Sequence, residues 1–110
     1  MNQQADLASR IRSLVALDPR VTEKRMFGGV AFLLNGRILV SARRTGTLLV
    51  QTSVEAANEA LKRPGVTMMV MGGRQARNFI DVDYDSLETD EDLQGWISLA
   101  EQYLSTLPPK

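Results

Sequence analysis

The stretch Val30-Ala-Phe-Leu-Leu34, Asn35-Gly36, Arg37-Ile-Leu-Val-Ser-Ala42 constrains the fold more than any other part of the chain. Asn-Gly accepts positive φ at both central positions of a two-residue turn, so the apolar runs beside it read as a tight β-hairpin. Thr45-Gly46 turns the chain again into Thr47-Leu-Leu-Val-Gln-Thr52, which makes a three-strand meander. Upstream, Val21 to Phe27 also reads as strand, broken or bulged at Gly28-Gly29.

These strands carry a second message. A strand with one wet face alternates apolar and polar residues. Here Val30, Phe32 and Leu34 fill one parity while Ala31 and Leu33 fill the other, and Ile38 and Val40 sit opposite Leu39. Leu48 and Val50 likewise sit opposite Leu49, and Met68 and Val70 opposite Met69. Both faces of the sheet must therefore be covered, or one of them is an interaction surface. Cover completed by a partner, most simply a second copy in a homodimer, is the expectation.

The remaining segments supply the helices. Leu7, Ile11, Leu14 and Val15 lie on one helical face between Gln3 and Leu17, and Asp18-Pro19 stops that helix. Thr52 and Glu55 have capping-box spacing for a short helix to about Leu61, with Pro64-Gly65 beyond it. Val66 to Met71 returns to strand, Gly72-Gly73 turns, and Ala76 to Tyr84 is another strand. Thr89 and Asp92 cap a last helix over 90–107 whose face carries Leu93, Trp96, Ile97, Ala100 and Leu104. The expected architecture is α+β: a mainly antiparallel five- or six-stranded sheet with three helices, in the order α-β(3-4)-α-β(2)-α. At 110 residues, the chain reads as a single domain over 1–110.

Composition removes whole classes of chemistry. With no cysteine there is no disulfide framework, no thiolate nucleophile and no cysteine-held metal. With no histidine, the usual general base and the commonest metal ligand are missing too. Serines and threonines therefore lack an evident activating base, and the chain is expected to be non-enzymatic, without catalytic residues or cofactor. The longest apolar run, Val30 to Leu34, is far short of the ~18 residues of a membrane span. The first residues show no signal-peptide pattern, so the expected compartment is the cytoplasm.

Charge is balanced overall but not along the chain. Up to Arg77 there are twelve basic residues against five acidic ones; beyond it Lys110 stands against eight acids. Halves of opposite sign are expected to attract when packed together, and much of the external field then cancels. Direct nucleic-acid contact, through Arg37, Arg43 and Arg44, is disfavoured by the zero net charge.

Each candidate site competes with a plain structural role. Asp81, Asp83 and Asp85 imitate the start of a calcium loop, but its sixth position is Ser86 rather than glycine and its twelfth is Asp92 rather than glutamate. No metal site is expected, and the run reads as a solvent-facing strand edge leading to a helix N-terminus. Arg25-Met-Phe-Gly28-Gly29 and Gly72-Gly-Arg74, with Arg77 beyond, pair glycine turns with guanidinium groups that can hold an anion. Arg25, Arg74 and Arg77 are thus the candidate anion-binding set, against a bulge for the first glycine pair and a hairpin turn for the second. Met26, Met68, Met69 and Met71, and Trp96, read as core fillers.

Read as one string, Thr22-Glu-Lys-Arg-Met-Phe-Gly-Gly-Val-Ala-Phe-Leu-Leu-Asn-Gly36 resembles the TfoX/Sxy N-terminal domain family. The motif Arg25, Met26, Phe27, Gly28, Gly29 running into a glycine-turn hairpin carries the likeness. Leu48-Leu-Val50, Val70-Met-Gly-Gly-Arg74, Trp96 and the Leu107-Pro-Pro-Lys110 ending extend it over nearly the whole chain. The resemblance implies a secretion-chaperone-like α+β fold and a link to bacterial competence regulators, whose founding members assist a cyclic-AMP receptor protein at promoters. Those regulators resemble two-domain proteins, and this chain is identified as a stand-alone, single-domain member. The resemblance supplies no catalytic residues. A regulatory or protein-interaction module with an unknown protein partner is the leading expectation. A small-anion or nucleotide-binding module using the arginines beside the glycine turns is the alternative.

Overall fold

A computed structural model describes residues 2–26 and 28–108. Helix α1 (Gln3–Leu14) is followed by strands β1 (Val21–Met26), β2 (Gly29–Leu34), β3 (Arg37–Ala42) and β4 (Leu48–Gln51). Helix α2 (Val54–Ala60), strands β5 (Val66–Met71) and β6 (Arg74–Val82), a 3-10 turn over Tyr84–Leu87 and helix α3 (Asp90–Ser105) complete the chain. The strands form one sheet in the order β1-β2-β3-β4-β6-β5, with every neighbouring pair antiparallel. The expected α+β order is present, with six strands. No helix among the described residues is long and apolar enough to cross a membrane.

Local chemistry accounts for most boundaries. Asn35 (φ 52°) and Gly36 (φ 84°) both take positive φ between the paired residues Leu34 and Arg37, as the predicted hairpin turn requires. Thr89 and Asp92 form a reciprocal capping box at the start of α3. The short helix starts one residue later than its spacing predicted. Ser53, not Thr52, is its cap, because the Thr52 N–H still donates to Asn78 across the sheet at 2.9 Å. The first helix ends at Leu14, three residues early, and the last at Ser105.

Two further differences matter for the site. The Gly28-Gly29 pair is not a bulge in a continuing strand: Met26 pairs with Gly29, the chain reverses between them, and Gly28 has φ 76°. The bulge lies instead opposite Phe32 and Leu33, where Leu39 is the extra residue of β3. The acidic run is not a strand edge. Asp81 sits in β6 between β4 and β5, opposite Leu49 and Thr67, while Asp83 lies beyond the strand's end.

The core lies between the three helices and one face of the sheet. Register places Val30, Phe32, Val40, Ala42, Leu48, Val50, Ile80, Val82 and Val66 on that face as one continuous belt. Leu7 and Ile11 of α1, Ala57 and Ala60 of α2, and Leu93, Trp96, Ile97, Ala100 and Leu104 of α3 pack into the same buried cluster. Each large aliphatic side chain fully buried there contributes about 1.5–3 kcal/mol of transfer free energy. Met26, Met68 and Met69 do not belong to that buried cluster. The oppositely charged halves meet across the packing, with Arg10 on Asp90 (3.1 Å), Arg43 on Asp81 (2.8 Å) and Arg20 near Glu101 (3.9 Å).

Candidate functional site: the helix-free face of the sheet

All three helices cover one face, so the other parity of the same strands is left without them. That second face carries Ala31, Ser41 and Leu49 at its centre, aligned by the pairs Ala31 to Ser41 and Ser41 to Leu49. All three are buried, yet Ala31 and Leu49 stand outside the core cluster. Their cover comes from the sheet itself. Met26 and Gly29 come from β1 and β2, Met69, Val70 and Gly72 from the hairpin at the opposite edge, and all line one cavity of about 640 Å³. A sheet whose two edges border the same hollow is strongly curled. The pairing of β5 with β6 shows where: it jumps from Met68–Ile80 to Met69–Ala76, so β5 skips three residues of β6 that stay on the β4 side, where Phe79 pairs with Gln51.

Ile38, Arg43, Arg44 and Thr45 complete the wall. Ser41 Oγ donates to the Val30 carbonyl at 3.3 Å, which satisfies the hydroxyl within the apolar floor. Gly29 makes that arrangement possible, since a Cβ there would stand 3.1 Å from the Ala42 carbonyl oxygen and 3.2 Å from Ser41 Oγ. Gly28 acts similarly: its missing side chain leaves room for the Arg44 guanidinium, whose Nε would lie 3.1 Å from an added Cβ. Gln4 Nε2 donates to the Gly28 (2.9 Å) and Ala42 (3.2 Å) carbonyls, tying this turn to α1.

The two arginines differ electrostatically. Arg43 donates to Asp81 Oδ2 at 2.8 Å, and both side chains are largely buried. Arg44 is exposed and makes no ion pair or hydrogen bond among the described residues. A second hollow, of about 480 Å³, lies by the Asn35 turn and the end of α3. Its cations already have partners: Arg20 binds Asp18 at 2.7 Å, and Arg37 donates to the Pro108 carbonyl at 2.7 Å. Asp18 is held at about 2 by hydrogen bonds from the Arg20 side chain and backbone, and Arg12 holds Glu23 below the ordinary carboxylate range.

The structure separates the residues that sequence spacing had grouped. Arg25, Arg74 and Arg77 are exposed, and none of them lines either hollow. Arg25 faces the helix side, paired with Val30 on the edge strand, whereas Arg74 opens β6. Of the motif residues, Met26, Gly28 and Gly29 meet at the β1–β2 turn, and Phe27 lies outside the described residues. Met26 and Met69 are wall residues of the open face rather than core fillers, and Trp96 is a core residue at 3% exposure. Among the described residues no cluster of acidic side chains could hold a metal ion.

The family model of the TfoX N-terminal domain matches residues 13–103. The chain belongs to the TfoX N-terminal domain family. No curated protein and no solved structure matches it significantly. In this TfoX-type domain the motif glycines have a physical role, because they let the β1–β2 turn approach Arg44 and Ser41 at the rim and floor of the open-face cavity.

Proposed function

We propose that this TfoX-type domain is a non-enzymatic regulatory module that acts in the cytoplasm by binding another protein through its helix-free sheet face. The observation that carries the reading is the pairing of a buried apolar floor, Ala31 and Leu49, with a wall of Met26, Ile38 and Met69 that no helix covers. Methionines suit such a role, because their flexible thioethers repack against differently shaped partners. Val70, 56% exposed, extends the apolar patch to the sheet edge. The adjoining edge strand, Val-Thr-Met-Met-Val-Met, carries no charge, whereas the opposite edge has Glu23, Lys24 and Arg25. Charge is the usual guard against edge pairing, so β5 is the edge open to a further strand. A second copy of this chain is the simplest partner, and competence regulation is the family's suggestion for the setting. The non-enzymatic part rests on the absence of histidine and cysteine.

The test is a pull-down with the tagged chain, run beside light scattering. A reproducible partner, or a dimer, retained in Glu91→Gln/Asp92→Asn but lost in Ile38→Asp and Met69→Asp supports the reading. Binding lost in the acidic-helix variant and kept in the sheet variants refutes it, as does turnover of a substrate abolished by one side-chain replacement.

A further inference from the structure

The cavity on the open face has a chemistry of its own, beyond its place in a protein-binding surface. At about 640 Å³ it falls within the ~300–1,000 Å³ of sites that enclose small organic ligands. Its floor and most of its wall are apolar: Ala31, Leu49, Ile38, Met26, Met69 and Val70. Its polar side chains, apart from the internally bonded Ser41, are Arg43, Arg44 and Thr45, contributed together by the turn between β3 and β4. An apolar hollow with its cations gathered in one segment fits an amphipathic anion, with a hydrocarbon body on the floor and a charged head at the turn.

Charge then selects the head group. Asp81 already answers Arg43, and Arg44 is left as the one cation of the wall without a counterion among the described residues. A single uncompensated guanidinium balances a monoanion. A doubly charged phosphate would carry a second negative charge that no cation of the wall is free to answer. Planar carboxylates also match the guanidinium fork. Gly28 keeps the space beside that fork open. We propose that the open-face cavity binds a small organic carboxylate with an apolar body, its carboxylate on Arg44 and its hydrocarbon over Ala31 and Leu49.

Calorimetric titration with octanoate tests this, with octan-1-ol, acetate and octyl phosphate as parallel ligands. Octanoate is expected to bind and to raise the melting temperature by mass action. Octan-1-ol lacks the charge and acetate the body, so each should bind at least about tenfold more weakly, and Arg44→Gln should weaken octanoate by about tenfold, the measure of one charge-assisted hydrogen bond. Arg44→Lys should restore part of that loss. Met69→Trp, which fills the cavity, should abolish binding while circular dichroism shows the fold retained. No binding at millimolar octanoate overturns the proposal, as do octan-1-ol binding equally well, octyl phosphate binding more tightly, or Arg44→Gln leaving affinity unchanged. The pull-down reads the protein-binding proposal separately, so failure of the ligand leaves that reading standing.

Discussion

The Arg43–Asp81 pair allows the energetics of the open face to be tested quantitatively. Replacing Arg43 by Met removes the cation but keeps much of the apolar stem. Asp81 then keeps its place between β4 and β5, opposite Leu49 and Thr67, with Oδ2 stripped of its partner and Oδ1 already buried without one among the described residues. Breaking a fully buried pair costs about 3–5 kcal/mol, and an exposed one typically 0.2–1 kcal/mol. With side chains 31% and 17% exposed, this pair falls between those limits, and Arg43→Met should cost about 2 kcal/mol. For a domain of this size that is a melting-temperature drop of about 8 °C. Asp81→Leu should cost less, about 0.5 kcal/mol, because Arg43 stands at the strand end and its long stem can carry the charge into water. The double variant, in which two apolar side chains meet over Leu49, should return to within about 1 kcal/mol of the parent. Urea unfolding of the four proteins, analysed as a double-mutant cycle, should give a coupling of about 1.5 kcal/mol. Additive effects, or an Arg43→Met variant within ~0.5 kcal/mol of the parent, would show that the pair is merely a solvated surface contact and that this face is wetter than its geometry indicates.

Three further outcomes follow from the turns, the ion pairs and the core. Gly28→Ala should destabilise by about 1–2 kcal/mol, since alanine disfavours φ 76°, and Gly29→Ala by about 1 kcal/mol through crowding of Ser41 and the Ala42 carbonyl; equal stability of either variant by urea unfolding would contradict the turn geometry. Asp18 and Glu23 have folded pKa values below their unfolded ones, so their contribution is complete above the ordinary carboxylate range and is lost as pH falls through the folded values, for Asp18 down to about 2. Asp18→Asn should flatten the acid limb of the stability curve between about pH 4 and pH 2, and an unchanged limb would refute the assignment to Arg20. Arg63 lies 4.3 Å from the ring centre of Trp96, the sole tryptophan, so Arg63→Ala should change its emission and cost about 0.5–1 kcal/mol; an unchanged spectrum would place the guanidinium elsewhere.

The fold was legible where a signal is local. Asn35-Gly36 needs only its own backbone freedom to specify a turn, and the Thr89–Asp92 cap needs only three residues of spacing. Boundaries failed where a distant strand competed for the same backbone. Thr52 has the chemistry of a cap, but pairing with Asn78 claims its N–H first, and nothing within four residues of Thr52 reveals that. Gly28-Gly29 was ambiguous for a related reason: bulge and reversal both ask for glycine, and only the register of Met26 against Gly29 separates them.

The open-face site was harder to foresee because period-two patterning says that a strand is apolar on both sides without saying which side the helices take. Leu48 and Leu49 are alike as sequence and nearly alike in burial, yet Leu48 is in the core and Leu49 is the floor of a cavity. What separates them is the placement of α1, α2 and α3 on a single face, together with a slip of three residues in β6 that curls the far hairpin towards β1. The same curl explains why methionines that read as core fillers line a wall. It also explains why Arg44, which has no special neighbour in sequence, becomes the cation beside Gly28. The continuous belt from Phe32 to Val66 on the helix-covered face includes neither Ile38 nor Met69. Substitutions of these two wall residues should therefore alter binding far more than folding. Ile38→Asp and Met69→Asp, which leave that belt intact, should keep cooperative unfolding while partner or ligand binding disappears. Loss of the cooperative transition in both variants would mean that the second face is a structural layer rather than a working surface.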